Sequence, residues 1–152
     1  EPGEVPEGEH LVPFGEAAVR REGDDVTIVA TGWTLGKALT AAERLAGEDV
    51  SAEVIDPRTL NPLDTKTILE SVEKTGRLVL VDQATRHGSA SAVIAGEVAE
   101  QGFSSLKAPI RQVTALEATI PYSQPMEEYL LPDEDKIVGA VQQVLGHAPV
   151  GG

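Results

Sequence analysis

The sequence predicts one α/β domain, a three-layer α/β/α sandwich whose mostly parallel sheet has about five strands, with one antiparallel strand at an edge. Three observations predict it. Short apolar runs alternate along the chain with helical patterns of 11 to 14 residues, an order that implies right-handed crossovers and parallel pairing. The chain is 152 residues long, one domain's length, and can bury roughly 68–70% of its unfolded surface without a metal or disulfide staple. Its composition, 41% hydrophobic and 24% charged with no cysteine, excludes disorder for most of the chain and a disulfide framework throughout.

The elements follow in order. EPGEVPEGEH has the proline, glycine and acid content of a linker, so residues 1–11 are expected to lead into a domain at 12–146, with a tail at 147–152. Such a start suggests a piece of a longer protein. Residues 17–22 read as a short strand, Gly23-Asp24-Asp25 as a tight turn, and VTIVATG as a strand covered on both faces. The short strand is expected to form a hairpin with that neighbour and lie antiparallel at an edge. Residues 34–46 place Leu35, Leu39, Ala42 and Leu45 at helical spacing, with Thr34 as N-cap and Gly47 as the stop. A strand at 51–55 ends at Asp56-Pro57. The next helix, 64–75, starts on Asp64 and stops at Gly76.

RLVLVD (77–82) is the next core strand, followed by an alanine-rich helix at 89–101 with Val93, Ile94 and Val98 turned inward. Residues 109–114 form the last strand, and 115–131, with two prolines and no clear period, read as a long loop. Pro132 opens the final helix with Asp133, Glu134 and Asp135 at its positive end, and Ile137, Val141, Val144 and Leu145 form its buried stripe.

The net charge of −13 argues against nucleic acid and anionic membrane as partners, since both need clustered Lys and Arg. Almost half of that charge lies in residues 1–25. No apolar run approaches the ~18 residues of a membrane span, and no basic-then-apolar signal opens the chain. A cytoplasmic protein is expected, and the lack of cysteine suits a reducing compartment.

Motifs mostly exclude. TGWTLGKA has three residues between Gly32 and Gly36 where a phosphate loop needs four, and Ala38 stands where a magnesium-binding Ser or Thr belongs. It reads as a strand-to-helix turn. His10, His87 and His147 are too scattered for a metal site. His87, with Arg86, falls on the loop after the RLVLVD strand, at the carboxyl edge where open α/β sheets receive ligands and partners. Asp82, His87, Ser89 and Ser91 lie within ten residues, too close in sequence for a nucleophilic triad, and GSASA is no nucleophile elbow. A phosphoacceptor receiver needs an acidic pair where Ala30-Thr31-Gly32 stands. EVIDPRTLNPLD is the most distinctive stretch. Asp56 and Arg58 could pair there with each other or with a partner, on a turn stiffened by Pro57 and Pro62.

On these residues the chain resembles a known family. LVPFGEA, REGDDVTIVATG, EVIDPRTLNPLD, KTGRLVLVDQATRHG, LKAPIRQVTA and IPYSQPMEEYLLPDEDKIVGAV are similar, over residues 11–145 and in the same order, to the C-terminal domain of the beta subunit of thiamine diphosphate-dependent 2-oxoacid dehydrogenase first components. That is a transketolase C-terminal-like domain. Pyruvate, acetoin and branched-chain oxoacid enzymes are all open.

The resemblance implies an assembly domain, inactive alone, that cements an alpha2beta2 heterotetramer and docks to the dihydrolipoyl acyltransferase core. Thiamine diphosphate and Mg2+ are implied in the assembled enzyme only, held by the beta subunit's N-terminal domain and the alpha subunit. No catalytic, cofactor or metal ligand is expected in this chain, with Arg86 and His87 as edge-loop candidates at most. The interface candidates are Asp56, Arg58 and Tyr122, on the corner at 56–58 and the loop at 119–126, and the isolated domain is expected to self-associate. Two alternatives stay open: a stand-alone small-molecule binding module of the same fold, and a C-terminal fragment of a transketolase or deoxyxylulose-phosphate synthase.

Overall fold

A computed structural model describes residues 7–8 and 11–146, so the expected tail at 147–152 and most of the expected linker lie outside the described residues. Five strands form one sheet: β1 (Ala18–Arg21), β2 (Val26–Ala30), β3 (Ala52–Asp56), β4 (Leu78–Thr85) and β5 (Arg111–Ala115). Their spatial order is β1-β3-β2-β4-β5. The pairs β2–β3, β2–β4 and β4–β5 are parallel and β1–β3 is antiparallel.

Helices cover both faces. α1 (Thr34–Ala46) and α5 (Glu134–Leu145) share one core with Val26, Ile28, Val54, Val79, Val81 and Val113. α2 (Thr65–Thr75) and α3 (Ala90–Gln101) build the other with Val29, Ile55, Leu78 and Leu80. Successive side chains of a strand point to opposite faces, so an unbroken apolar run feeds both cores at once. All five residues of β2 are buried, as its central place demands.

Side chains cap three of these helices. Asp64 accepts from the Thr67 amide at 3.1 Å, Ser89 from Ala92 at 3.1 Å and Asp133 from Lys136 at 2.8 Å. Each cap contributes about 1 kcal/mol by satisfying an otherwise unpaired N–H. Asp64 also accepts from the Ala17 amide at 2.9 Å, tying the lead-in of β1 to the start of α2. Burial pushes its carboxyl up, but the Ala17 and Thr67 donors outweigh that and hold it below the usual carboxylate range.

Five expectations are corrected. β1 takes the antiparallel edge but pairs with β3, because β2 is already flanked on both sides by parallel strands. The turn makes this possible: the Asp24 and Asp25 amides donate to the Ser51 carbonyl, and Gly23 passes so close to Ala52 that a Cβ would lie 2.2 Å from its carbonyl carbon. The stretch 115–131 contains a short helix, α4 (Gln124–Leu130), with no buried residue and hence no apolar period to reveal it. Pro132 precedes the final helix, whose cap is Asp133. Thr34 is the first helical residue of α1, and its hydroxyl donates to the Thr31 carbonyl instead of capping an amide. Val93 is 62% exposed, since α3 turns only Ser91, Ile94 and Val98 fully inward.

Candidate functional site at the carboxyl edge of the sheet

The chain leaves β2 toward β3 on one side and leaves β4 toward β5 on the other, so the strand order reverses between β2 and β4. In open α/β sheets the crevice at that reversal is the usual ligand site. Here hydrogen bonds within the protein tie the two strand ends together. The Thr31 amide donates to the Val81 carbonyl at 3.1 Å, and the Thr34 hydroxyl, donating chiefly to the Thr31 carbonyl, shares its proton with that oxygen at 3.2 Å. Asp82, one residue on and buried, accepts from the Ala84 amide at 3.0 Å and the Ser91 amide at 3.2 Å. The Ser89 hydroxyl lies 2.8 Å from that of Ser91, and both residues are buried. Asp82, Ser89 and Ser91 therefore hold β4 to the start of α3, and among the described residues neither serine hydrogen-bonds a histidine.

His87 stands outside this knot. Its side chain is 86% exposed, and its Nδ1 lies 2.9 Å from Glu117 Oε1, which also accepts the His87 amide at 3.2 Å. Those two contacts hold the Glu117 carboxyl below its ordinary range. They also pin the loop after β4 to the residues after β5. Arg86 lies beside it on a groove of about 580 Å3 along β5, described below. Sequence reasoning missed Glu117, which is 30 residues from His87 and announces no spacing.

At the Asp56–Arg58 corner the contact between the two residues runs through the backbone. Asp56 Oδ1 accepts the Arg58 backbone amide at 2.9 Å, so the carboxylate closes a turn rather than pairing with the guanidinium. That closure holds Arg58 at φ 56, in the left-handed region. The Thr59 hydroxyl continues the corner, donating to the Pro62 carbonyl at 2.8 Å and accepting the Gly15 amide at 2.9 Å. Tyr122 lies on the segment after β5 and is fully exposed. The structure thus brings Arg86 and His87 together, keeps Asp56 and Arg58 on one corner, and leaves Tyr122 on a different loop.

The carboxylates at this edge are committed within the fold and do not fit the metal ion of thiamine diphosphate. Both Asp82 oxygens accept backbone amides, Glu117 is engaged with His87, and no group of three His, Cys, Asp or Glu side chains could hold a metal among the described residues. What the edge does present is apolar surface. Leu116, Ile120, Met126 and Tyr129 are 46%, 62%, 59% and 71% exposed on one excursion of the chain, with Trp33 at 45% on the loop after β2. An apolar series of this kind marks a surface that another chain covers more often than a catalytic pocket. Among the described residues no helix is long and apolar enough to cross a membrane.

Comparison with known proteins agrees with this reading of the fold. Residues 15–137 match the family model described as transketolase, C-terminal domain. The chain is 44% identical to the beta subunit of acetoin:2,6-dichlorophenolindophenol oxidoreductase of Bacillus subtilis, over 95% of this chain and 42% of that one. It is 41% identical to the beta subunit of the pyruvate dehydrogenase E1 component of Staphylococcus epidermidis, over 93% and 43%. The chain therefore spans less than half the length of these curated relatives. Among solved structures, a split-gene transketolase in an inactive beta4 tetramer superposes with TM-score 0.80 and 28% identity, over 97% of this chain and 47% of that one. A Pichia stipitis transketolase, at TM-score 0.60 and 14% identity, shares the fold. With its sheet order, its two helical layers and most of its length matched, the chain belongs to the transketolase C-terminal domain family, and its sequence relatives are beta subunits of 2-oxoacid and acetoin oxidoreductases.

Proposed function

We propose that this chain is the assembly domain of the beta subunit of a 2-oxoacid or acetoin dehydrogenase first component, and that it contributes subunit contacts rather than catalytic groups. The observation that carries the proposal is the apolar excursion after β5, where Leu116, Ile120, Met126 and Tyr129 stand exposed. Burying those side chains in an interface contributes about 25 cal/mol for each Å2 of apolar surface removed from water. Tyr122 lies on the same excursion, and Arg86 and His87 supply polar groups at its rim; the Asp56–Arg58 corner, at the end of β3 and beyond β2 and β4, is a second, separate contact in this reading. The folded unit runs over residues 12–146.

In this reading the assembled enzyme is an alpha2beta2 heterotetramer in the cytoplasm, docked to a dihydrolipoyl acyltransferase core. Thiamine diphosphate and Mg2+ are held by other parts of the assembly and supply the decarboxylation and acyl-transfer chemistry. This chain's residues position subunits. A transketolase fragment is the weaker reading: identities of 44–45% to acetoin oxidoreductase subunits stand against 28% to the split-gene transketolase.

Sequencing the coding DNA upstream of Glu1 tests the proposal. An open reading frame that adds another domain, about 200 residues, and aligns with the remainder of the beta subunits supports it. A start codon at or near Glu1 makes the chain a free-standing domain and overturns it.

A further inference from the structure

β5 is an edge strand. It pairs with β4 on one side, and no strand among the described residues pairs with the other. Alternate residues of a strand direct their N–H and C=O groups to the same side, so half of the β5 backbone groups face outward, an arrangement that proteins ordinarily cover or guard. Along this edge runs the groove of about 580 Å3, whose floor is the whole of β5 and whose wall is the face of α5 at Gly139 and Ala140. A Cβ on Gly139 would meet nothing within 4 Å, so the wall stays low. Gln112 Oε1, a buried acceptor in the groove lining, has no hydrogen-bond donor.

The charge of the groove opposes that of the molecule. In a chain with 25 acidic and 12 basic side chains, its lining holds Arg86, Arg111 and Lys136 against one carboxylate, Glu117. Glu117 is engaged by His87, and Lys136 by Asp133 at 2.9 Å. Arg86 and Arg111 make no ion pair among the described residues, though carboxylates outnumber bases two to one.

We propose that the outer edge of β5 accepts an extended, acidic segment of a partner polypeptide as a sixth strand, its carboxylates paired with Arg86 and Arg111. Main-chain hydrogen bonds to β5 hold such a segment and set its register, and the two guanidinium groups select its charge. This surface adjoins the apolar excursion of the subunit proposal, sharing Arg86 and Leu116 with it, but its floor is the backbone of β5, so binding here is a property of the chain itself.

Fluorescence anisotropy with a labelled peptide of about eight alternating glutamate and valine residues, a length in the ordinary range for strands, is the test. The proposal expects saturable binding, at least tenfold weaker in Arg86→Glu/Arg111→Glu and weaker as salt rises. N-methylating one alternate set of peptide amides should abolish binding while the other set is tolerated, because an added strand donates from one side only. That pair of peptides acts on the unaltered protein, so it holds even if the double variant fails to fold. Absence of saturable binding overturns the proposal, as does equal binding of both methylated peptides or of a lysine-for-glutamate analogue. A dimer of this chain that Arg111→Glu dissolves, without peptide binding, makes a second copy the occupant and overturns it too.

Discussion

Two carboxylate contacts, Glu53 with Lys74 and Glu117 with His87, show how differently the two sides of this domain use polar side chains. Glu53 sits in the middle of β3 at 2% exposure, hydrogen-bonded to Lys74 of α2, and accepts the Gly23 amide at 3.4 Å. Burial pushes its carboxyl up, yet hydrogen bonds from Lys74 and Ser71 outweigh that and hold it below the ordinary range. Lys74, bonded to Glu53, is raised in turn. Nearby, Thr27 lies 2.6 Å from the Ser71 hydroxyl and 2.8 Å from that of Thr75, so a satisfied polar seam joins the sheet to α2. His87 and Glu117 make their contact at the exposed surface, with apolar neighbours also exposed. The inner contact defines the fold, because an unpaired charge there has no water to turn to. The outer one leaves its surface free for other chains.

Breaking the inner region should give the largest effect. Gly23→Ala drives a Cβ into the Ala52 backbone, and a loss of about 3 kcal/mol or more is expected, read as a fall in Tm of roughly 10 °C. Lys74→Met comes next. It strands the Glu53 carboxylate, but Lys74 is partly exposed, so solvent screening limits the cost to about 1–2 kcal/mol in urea melts at pH 7.

The pH dependence sharpens this. Glu53 has a lowered folded pKa, so its contribution is full above the unfolded value of about 4.3 and is lost as pH falls through the folded value. Lys74 has a raised folded pKa, so its contribution is full below about 10.4 and is lost as pH rises through the folded value. The difference between wild type and Lys74→Met should therefore be flat from about pH 5 to 10 and shrink below about pH 4. A difference that grows toward acid would contradict the assignment. At the outer contact, His87→Ala should leave Tm unchanged within error by differential scanning calorimetry, since both side chains stay solvated.

The same contrast explains what the sequence made legible. Strands and long helices announce themselves because each buries an apolar face: the run at Val26–Ala30 and the stripe Ile137, Val141, Val144 carry their own period. α4 buries nothing and is silent, and the alanine-rich α3 left Val93 misplaced because small residues mark no face sharply. β1's choice of β3 over β2 is a competition among distant strands that local spacing does not encode. Glu53, a charge inside the run AEVI, went unread, and its partner Lys74 lies 21 residues away on another element. At the site, Arg86 and His87 were placed on the carboxyl edge by topology alone, while Glu117 and the open edge of β5 emerged only in three dimensions.

The account rests on the exposed excursion after β5 being a covered interface in the working protein. Sedimentation velocity from about 1 to 100 µM, on the wild type and on Ile120→Ser/Met126→Ser/Tyr129→Ser, tests this most directly. The account predicts that the wild type self-associates through the unfilled surface while the triple variant, with its fold unchanged by circular dichroism, stays monomeric. A wild type monomeric at about 100 µM, or a triple variant that associates equally well, would contradict it.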